Sequence, residues 1–389
     1  MRTWTDMNVE RPQSSRGDDL LTMLFGAWLV IGVFVDGWAH NNDKPESFFT
    51  PWHGLFYSGF TACAAWMCWQ VVRNQRKGAR GLAAVPVGYG LGLLGIAIFA
   101  AGGVGDLVWH QIFGIEVDLE ALVSPSHLTL FIGGLLVISS PLRAAWSARG
   151  RSAPTFRELL PALLSAALTT AQVAFFTMHF SPWLTNAAQH EPYLFIEREL
   201  DPRFADWLVE EVQLEGLAAI LLTTLVLMVP ALLLLRRWHL PFGSLTLLFG
   251  SVSTLSAAIE SFDTGTTFLA GVVGGLVGDL LVRRLRPSPA RPAAVRIFAV
   301  ATPMALWLTY FGLLGLEFSV GWPVELWAGA TVLAGLASAA ASLVTAPPAV
   351  PGEGPGAFEL VLAGPAHRDQ VGVASSRANI ERGTTLSRR

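Results

Sequence analysis

Long apolar runs alternate with short polar connections along this chain. Runs of about twenty residues, the length that crosses a hydrocarbon core as helix, fall near residues 20–38, 52–72, 86–109, 125–145, 159–180, 212–235, 242–261, 265–282, 297–318 and 322–341. None shows the two-residue alternation of a membrane barrel strand, and backbone groups in lipid must find partners within their own segment. The pattern predicts an all-α fold, a polytopic transmembrane bundle of about ten helices. Its expected divisions are a cytoplasmic N-terminal segment (1–19), four helices in two hairpins (20–145), six further helices (146–345) and a tail (346–389). From Pro347 onward the tail is rich in Pro, Gly, Ser and Arg and reads as a disordered cytoplasmic extension.

Composition agrees, since 52% hydrophobic and 14% charged residues with a mean hydropathy of +0.48 exclude a water-soluble fold. Charge adds orientation. The connections at 73–80, 143–157, 236–237 and 283–296 are rich in Arg and Lys, whereas the opposite connections hold only Lys44, Arg198 and Arg203. The basic side is therefore expected in the cytoplasm, with both termini inside. The first run follows a polar segment and lacks a small-residue cleavage site, so it reads as a retained helix. Lys occurs only at Lys44 and Lys77 while Ala and Gly are abundant. That usage points to a GC-rich bacterial genome, hence to a bacterial inner membrane. Cys63 and Cys68 share one run at a spacing unsuited to a disulfide, and read as packing residues.

The ionisable residues repeat. Asp36-Gly-Trp-Ala-His40 ends the first run, and Glu46-Ser-Phe-Phe-Thr-Pro51-Trp-His53 opens the second. Asp106-Leu-Val-Trp-His110 ends the third, and Glu120-Ala-Leu-Val-Ser-Pro125-Ser-His127 opens the fourth. Both copies read D-x3-H, a linker, then E-x4-P-x-H, so the hairpin is read as duplicated. Asp and His four apart stack on one helix face. Pro suits the first turn of the returning helix, where no donor is lost, and the last His then lies one turn inside it. One Asp and two His make an N,N,O set suited to a transition metal with an open position, copper first by affinity order and zinc second. The predicted metal ligands are Asp36, His40 and His53 in one set and Asp106, His110 and His127 in the other. The reading that stands beside it is a structural or proton-relay network of the same groups. Ionisable residues near a helix centre in a membrane cost on the order of 2.5–3.5 kcal/mol each, which favours a paired or functional role.

Asp106-Leu-Val-Trp-His110-Gln111, an acidic linker and Ser124-Pro125-Ser126-His127 together resemble the metal-binding segment in a membrane subunit of the particulate methane and ammonia monooxygenases, the copper membrane monooxygenase family. That family carries D-x-x-W/F-H-Q, an acidic linker and T-P-S/T-H. The resemblance implies copper held by Asp106, His110 and His127, with Asp36, His40 and His53 matching D-x3-H-x12-H in the first copy. It covers about 20 residues per copy. The second linker is about four residues longer than the family pattern, and the first copy lacks the Gln after its histidine.

Supporting or additional ligands are expected among Glu46, Glu120, His179 and Glu215, with Glu46, Glu116, Asp118 and Glu120 drawing cations to the mouth. Trp38 and Trp109 are expected in the wall of a site shared by both sets. Glu260, Asp263, Glu317 and Glu325 read as solvated helix ends, and the connection 182–210 as a short interfacial helix or lid. With no phosphate loop, nucleophile elbow or H-E-x-x-H motif, neither nucleotide nor nucleic acid is an expected partner, and no catalytic residue is assigned. Three functions remain open. One is a monooxygenase-like copper protein acting on a small apolar substrate drawn from the bilayer. The others are a metal-ion or proton-coupled transporter and a non-catalytic subunit among other membrane subunits. A carrier needs a polar path to both faces, yet here the acidic and histidine residues crowd one end and Asp279 stands nearly alone near the other.

Overall fold

A computed structural model describes residues 11–42, 44, 49–114, 118–148 and 151–345. Contacts divide the chain into Met1–Pro347 and Pro348–Arg389. The first unit is described below, and the expected tail from 346 onward lies outside the described residues. Among those residues there is no strand, only isolated bridges at Gln189–Val320 and Ser288–Arg291. The helices are α1 (Arg16–Asn41), α2 (Pro51–Arg76), α3 (Gly90–Phe113), α4 (Asp118–Val123), α5 (Pro125–Ile138), α6 (Ser140–Ser147), α7 (Phe156–Phe176), α8 (Glu191–Glu199), α9 (Pro202–Arg237), α10 (Ser244–Ile259), α11 (Leu269–Leu285), α12 (Pro292–Glu317) and α13 (Val324–Thr345). Nine spans among the described residues are long and apolar enough to cross a membrane, with α5 and α6 forming one of them. The chain is an all-α polytopic bundle.

The tenth expected span is α10, which is apolar but only 16 residues long. It starts after Gly243, whose φ of 94° permits the sharp entry. Its first amides are met by a neighbouring helix. Asp279 on α11 accepts from Leu245 N at 3.0 Å, from Thr246 N at 3.0 Å and from the Thr246 hydroxyl at 2.7 Å. The carboxylate thus answers donors that a helix start leaves open.

Several boundaries differ from the hydropathy pattern, and three of the differences have a local reason. The fourth run breaks at Ser139, because Pro141 at the start of α6 offers no amide to the preceding turn. Arg143 fills the break, donating to Leu136 O at 2.7 Å and Ser140 Oγ at 3.0 Å. The fifth run stops at Phe176 and continues as a 3-10 turn, Met178–Phe180. The sixth begins at Pro202 and not at 212, capped by Asp201, whose carboxylate accepts from Arg203 N at 3.0 Å. A hydropathy window overlooks those added turns because they are polar. Within the 182–210 connection, α8 is the expected short helix. Tyr193 donates to Ala187 O at 2.6 Å, and Trp322 donates to Tyr193 Oη at 2.8 Å, tying α8 to the α12–α13 connection.

Helix α7 is the most buried span and packs against α1, α5, α6, α9 and α10. Two hairpins, α1–α2 and α3–α5, flank it, and their crossings share one register. Gly32 and Gly102 each stand four residues before the hairpin's Asp, and a Cβ there would lie 2.7 Å from Phe56 Cα and 3.1 Å from Leu130 N. Gly59 and Gly133 each stand six residues after the returning His, and a Cβ there would lie 2.6 Å from Leu29 N and 2.6 Å from Phe99 N. Phe56 and Leu130 are both three residues past that His, and Leu29 and Phe99 both seven before that Asp. Small residues let the backbones touch, and this contact sets the end of one helix level with the start of the next.

Candidate metal centre

Asp36 and His40 occupy the last two turns of α1, and His53 the first turn of α2. Asp106 and His110 end α3, and His127 opens α5. Both returning helices begin alike. Thr50 accepts from His53 N at 3.3 Å and Ser124 from His127 N at 3.4 Å, each followed by a Pro at the first helical position. The cap holds the first turn in place, and with it the imidazole. In each set the three ligand atoms lie within 4.8 Å of one another, close enough to suit a metal ion.

The second set is the tighter. Asp106 is fully buried, and its Oδ1 lies 3.0 Å from His127 Nε2 and 3.5 Å from His110 Nε2. His110 Nδ1 faces Gly114 O at 3.1 Å, and His127 Nδ1 bonds Ala121 O. A carbonyl can only accept, so Nδ1 carries hydrogen in both rings. In the neutral imidazoles each Nε2 then presents a lone pair to a carboxylate oxygen. Three electron pairs converge, which demands a positive centre: a proton on one ring or a metal ion. Around a four-coordinate ion with bonds of about 2.0–2.1 Å, ligand atoms stand about 3.3–3.4 Å apart, a spacing the two observed distances bracket. Metal-bound histidines ordinarily donate their other ring nitrogen as these two do.

The first set is more open. His40 Nε2 lies 3.7 Å from Asp36 Oδ2, and His53 Nδ1 lies 3.5 Å from Asp36 Oδ1. His53 Nδ1 is also 2.6 Å from the Thr50 hydroxyl. The two rings therefore address different oxygens of the carboxylate, whereas in the second set both address one.

The sets are joined in two ways. Tyr57 on α2 donates to Asp106 Oδ2 at 3.2 Å, passing from the first hairpin into the second set. A cavity of about 650 Å³ is lined by Asp36, His40 and His53 of the first set and by His127 of the second. Its apolar walls come from Phe56, Phe99, Phe131, Phe175 and Phe176.

The remaining expected residues are distributed unevenly. His179, in the 3-10 turn after α7, lines the cavity. Glu215 is exposed on α9 and Glu120 is exposed on α4, and neither lines it. Glu46 and Glu116 lie outside the described residues, as does the side chain of Asp118. Trp38 donates to Ser261 Oγ at 2.9 Å and Trp109 packs on Phe113, so neither forms the expected wall. No described residue of 182–210 lines the cavity, so that connection is not its lid. Three polar lining residues, Asn41, Gln172 and Glu260, were not expected. Glu260, read as a solvated end, accepts from Asn41 at 2.7 Å at the cavity rim. Gln172 is buried in α7 and donates to Phe131 O at 3.2 Å. An amide inside an otherwise apolar span was its signal in the sequence. Comparison of the chain with protein-family models, with curated proteins and with solved structures finds no match.

Proposed function

We propose that this chain is a membrane metalloprotein that binds a transition metal, copper ahead of zinc, through Asp106, His110 and His127 and through Asp36, His40 and His53. The observation that carries the reading is the approach of two imidazole Nε2 atoms to one Asp106 oxygen, at 3.0 and 3.5 Å, with both Nδ1 atoms facing backbone carbonyls. The donor set fits a borderline metal, and copper leads it in affinity. A bound copper ion would supply the one-electron redox chemistry that oxygen activation requires. The chain's own residues would hold the ion at the wall of an apolar cavity, fix the ligands by caps and carbonyl bonds, and admit a small apolar substrate from the bilayer. This is the monooxygenase-like function that the D-x-x-W-H-Q resemblance implies, with other membrane subunits as partners. The arginine bias supports a bacterial inner membrane, with the site end facing away from the cytoplasm and both termini inside.

Near the opposite end Asp279 is joined by Asp18 and Asp19, because α1 begins at Arg16 and not at 20. The carrier reading is weaker because all three are engaged: Asp279 at the start of α10, Asp18 with Arg73 and Asp19 with the Tyr89 hydroxyl. Elemental analysis of purified protein, washed free of loose ions, tests the proposal. About one or two ions per chain are expected, copper above zinc, and a joint His110→Ala and His127→Ala substitution should lower the content. Content that is unchanged in the double variant, or absent from the parent, overturns the assignment.

A further inference from the structure

We infer that the cavity between the hairpins binds an uncharged, lipid-soluble molecule with one polar end. Its volume of about 650 Å³, at about 30 Å³ per water-sized group, has room for roughly twenty non-hydrogen atoms at most. A gas-sized molecule would leave most of that space unfilled and forfeit contact with the walls. Pockets of some 300–1,000 Å³ with apolar walls and few polar groups are those that enclose organic ligands.

The lining changes character with depth. Asp36, His40, Asn41, His127, His179 and Glu260 sit at helix ends, at the start of one helix or in the turns beside them. Val33 and Phe175 lie about one turn deeper, Phe99 stands two turns before Asp106, and the polar side chain at that depth is Gln172, whose amide donates to Phe131 O. The rings are held by each other as well as by the helices. Phe131 stacks on Phe176 at 4.1 Å, and Phe175 meets Phe34 edge-on at 5.2 Å. Such walls are formed before a ligand arrives. A molecule whose polar end lies among the Asp and His groups and whose apolar body lies among the phenylalanines matches this gradient.

Charge sets the remaining limit. The rim carries the carboxylates of Asp36 and Glu260, and no Lys or Arg lines the cavity among the described residues. In the protein stripped of metal, an anionic head would meet these carboxylates with no Lys, Arg or metal ion to pair it. For the metal-free protein the class is therefore an uncharged amphiphile such as a medium-chain alcohol, bound in preference to a fatty acid of equal length. This inference rests on the proposed function only for the statement that the bound molecule is a substrate, because binding itself requires no metal.

The test uses the full chain in phosphatidylcholine nanodiscs, stripped of metal by chelator, with straight-chain 1-alkanols and the matching alkanoates as probes. Thermal unfolding is followed at pH about 8, where alkanoates are ionised. Stabilisation should peak at about ten to fourteen carbons, in keeping with the cavity volume, and should be missing with alkanoates. Val33→Trp, which fills the cavity, should weaken the apparent affinity about tenfold or more. Ala121→Trp narrows the mouth from short helix α4 and decides the matter if the first variant does not fold. Partition into the bilayer acts on all these proteins alike. A response that is absent, that is equal in the filled variants, or that alkanoates reproduce would overturn the inference. Copper uptake, measured when the ion is added back to the same stripped preparations, keeps the two readings apart. Alkanol binding without metal uptake removes the metal reading and leaves the ligand site, and the reverse result does the opposite.

Discussion

The hydroxyl of Tyr57 donates to Oδ2 of Asp106 across 3.2 Å, from one hairpin to a carboxylate of the other. With Oδ2 engaged, Oδ1 is the atom turned toward His110 and His127. Four residues after the equivalent histidine of the second hairpin stands Phe131, which has no hydroxyl to return the contact. Tyr57→Phe should lower metal affinity at the second set by about tenfold or more, the usual effect of losing a group that orients a ligand. Stability should fall by about 1–3 kcal/mol, because the buried carboxylate loses a donor. Competition titration with a chelator reads the first quantity and thermal unfolding the second. An affinity equal to the parent's would show that Asp106 needs no such support.

The shared crossing register makes a paired test. A Cβ on Gly133 would lie 2.6 Å from the Phe99 amide, whereas a Cβ on Gly105, adjacent to Asp106, meets nothing within 4 Å. Gly133→Ala should destabilise by about 1–3 kcal/mol through forced separation of α3 and α5. Gly105→Ala should be neutral or mildly stabilising, since Ala is the better helix former. Equal melting temperatures in the two variants would mean that the crossing does not hold the hairpin.

Asp279 offers a structural counterpart to the site carboxylates. It accepts three hydrogen bonds at the start of α10. Asp279→Ala should cost about 1–3 kcal/mol, because buried donors lose their partner, while metal content stays as in the parent. A folded Asp279→Ala protein that has lost ion flux in a liposome assay would restore the carrier reading.

Alkaline pH should expose the anchor of α8. Burial pushes the Tyr193 phenol up to about 12, against the pull of the Trp322 N–H in the other direction. A folded pKa above the unfolded value of about 10 gives stability that is complete below pH about 10 and is lost as pH rises toward 12. Unfolding curves recorded across that window should fall more steeply for the parent than for Tyr193→Phe. Parallel curves would assign the alkaline loss to other groups.

Much of this protein is set by local pattern. Apolar runs specify spans because lipid offers the backbone no partner. Asp36 with His40, and Asp106 with His110, face together because a helix repeats every 3.6 residues. Thr50-Pro51 and Ser124-Pro125 start helices because their side chains and missing donors suit a first turn. Those features are legible from neighbours in the chain. Others required the packed bundle. Which residues meet across helices depends on how each helix is rotated and how closely its backbone approaches the next, and that is decided by contacts such as Gly59 against Leu29 and Gly133 against Phe99. Rotation brings Tyr57 to Asp106 and turns Gln172, His179 and Glu260 toward one cavity. It leaves Glu215 facing outward, though its place beside the other acidic residues in the sequence looked equivalent. Helix periodicity paired Asp with His one hairpin at a time, and long-range packing decided that His127 of the second hairpin lines the same cavity as Asp36, His40 and His53 of the first.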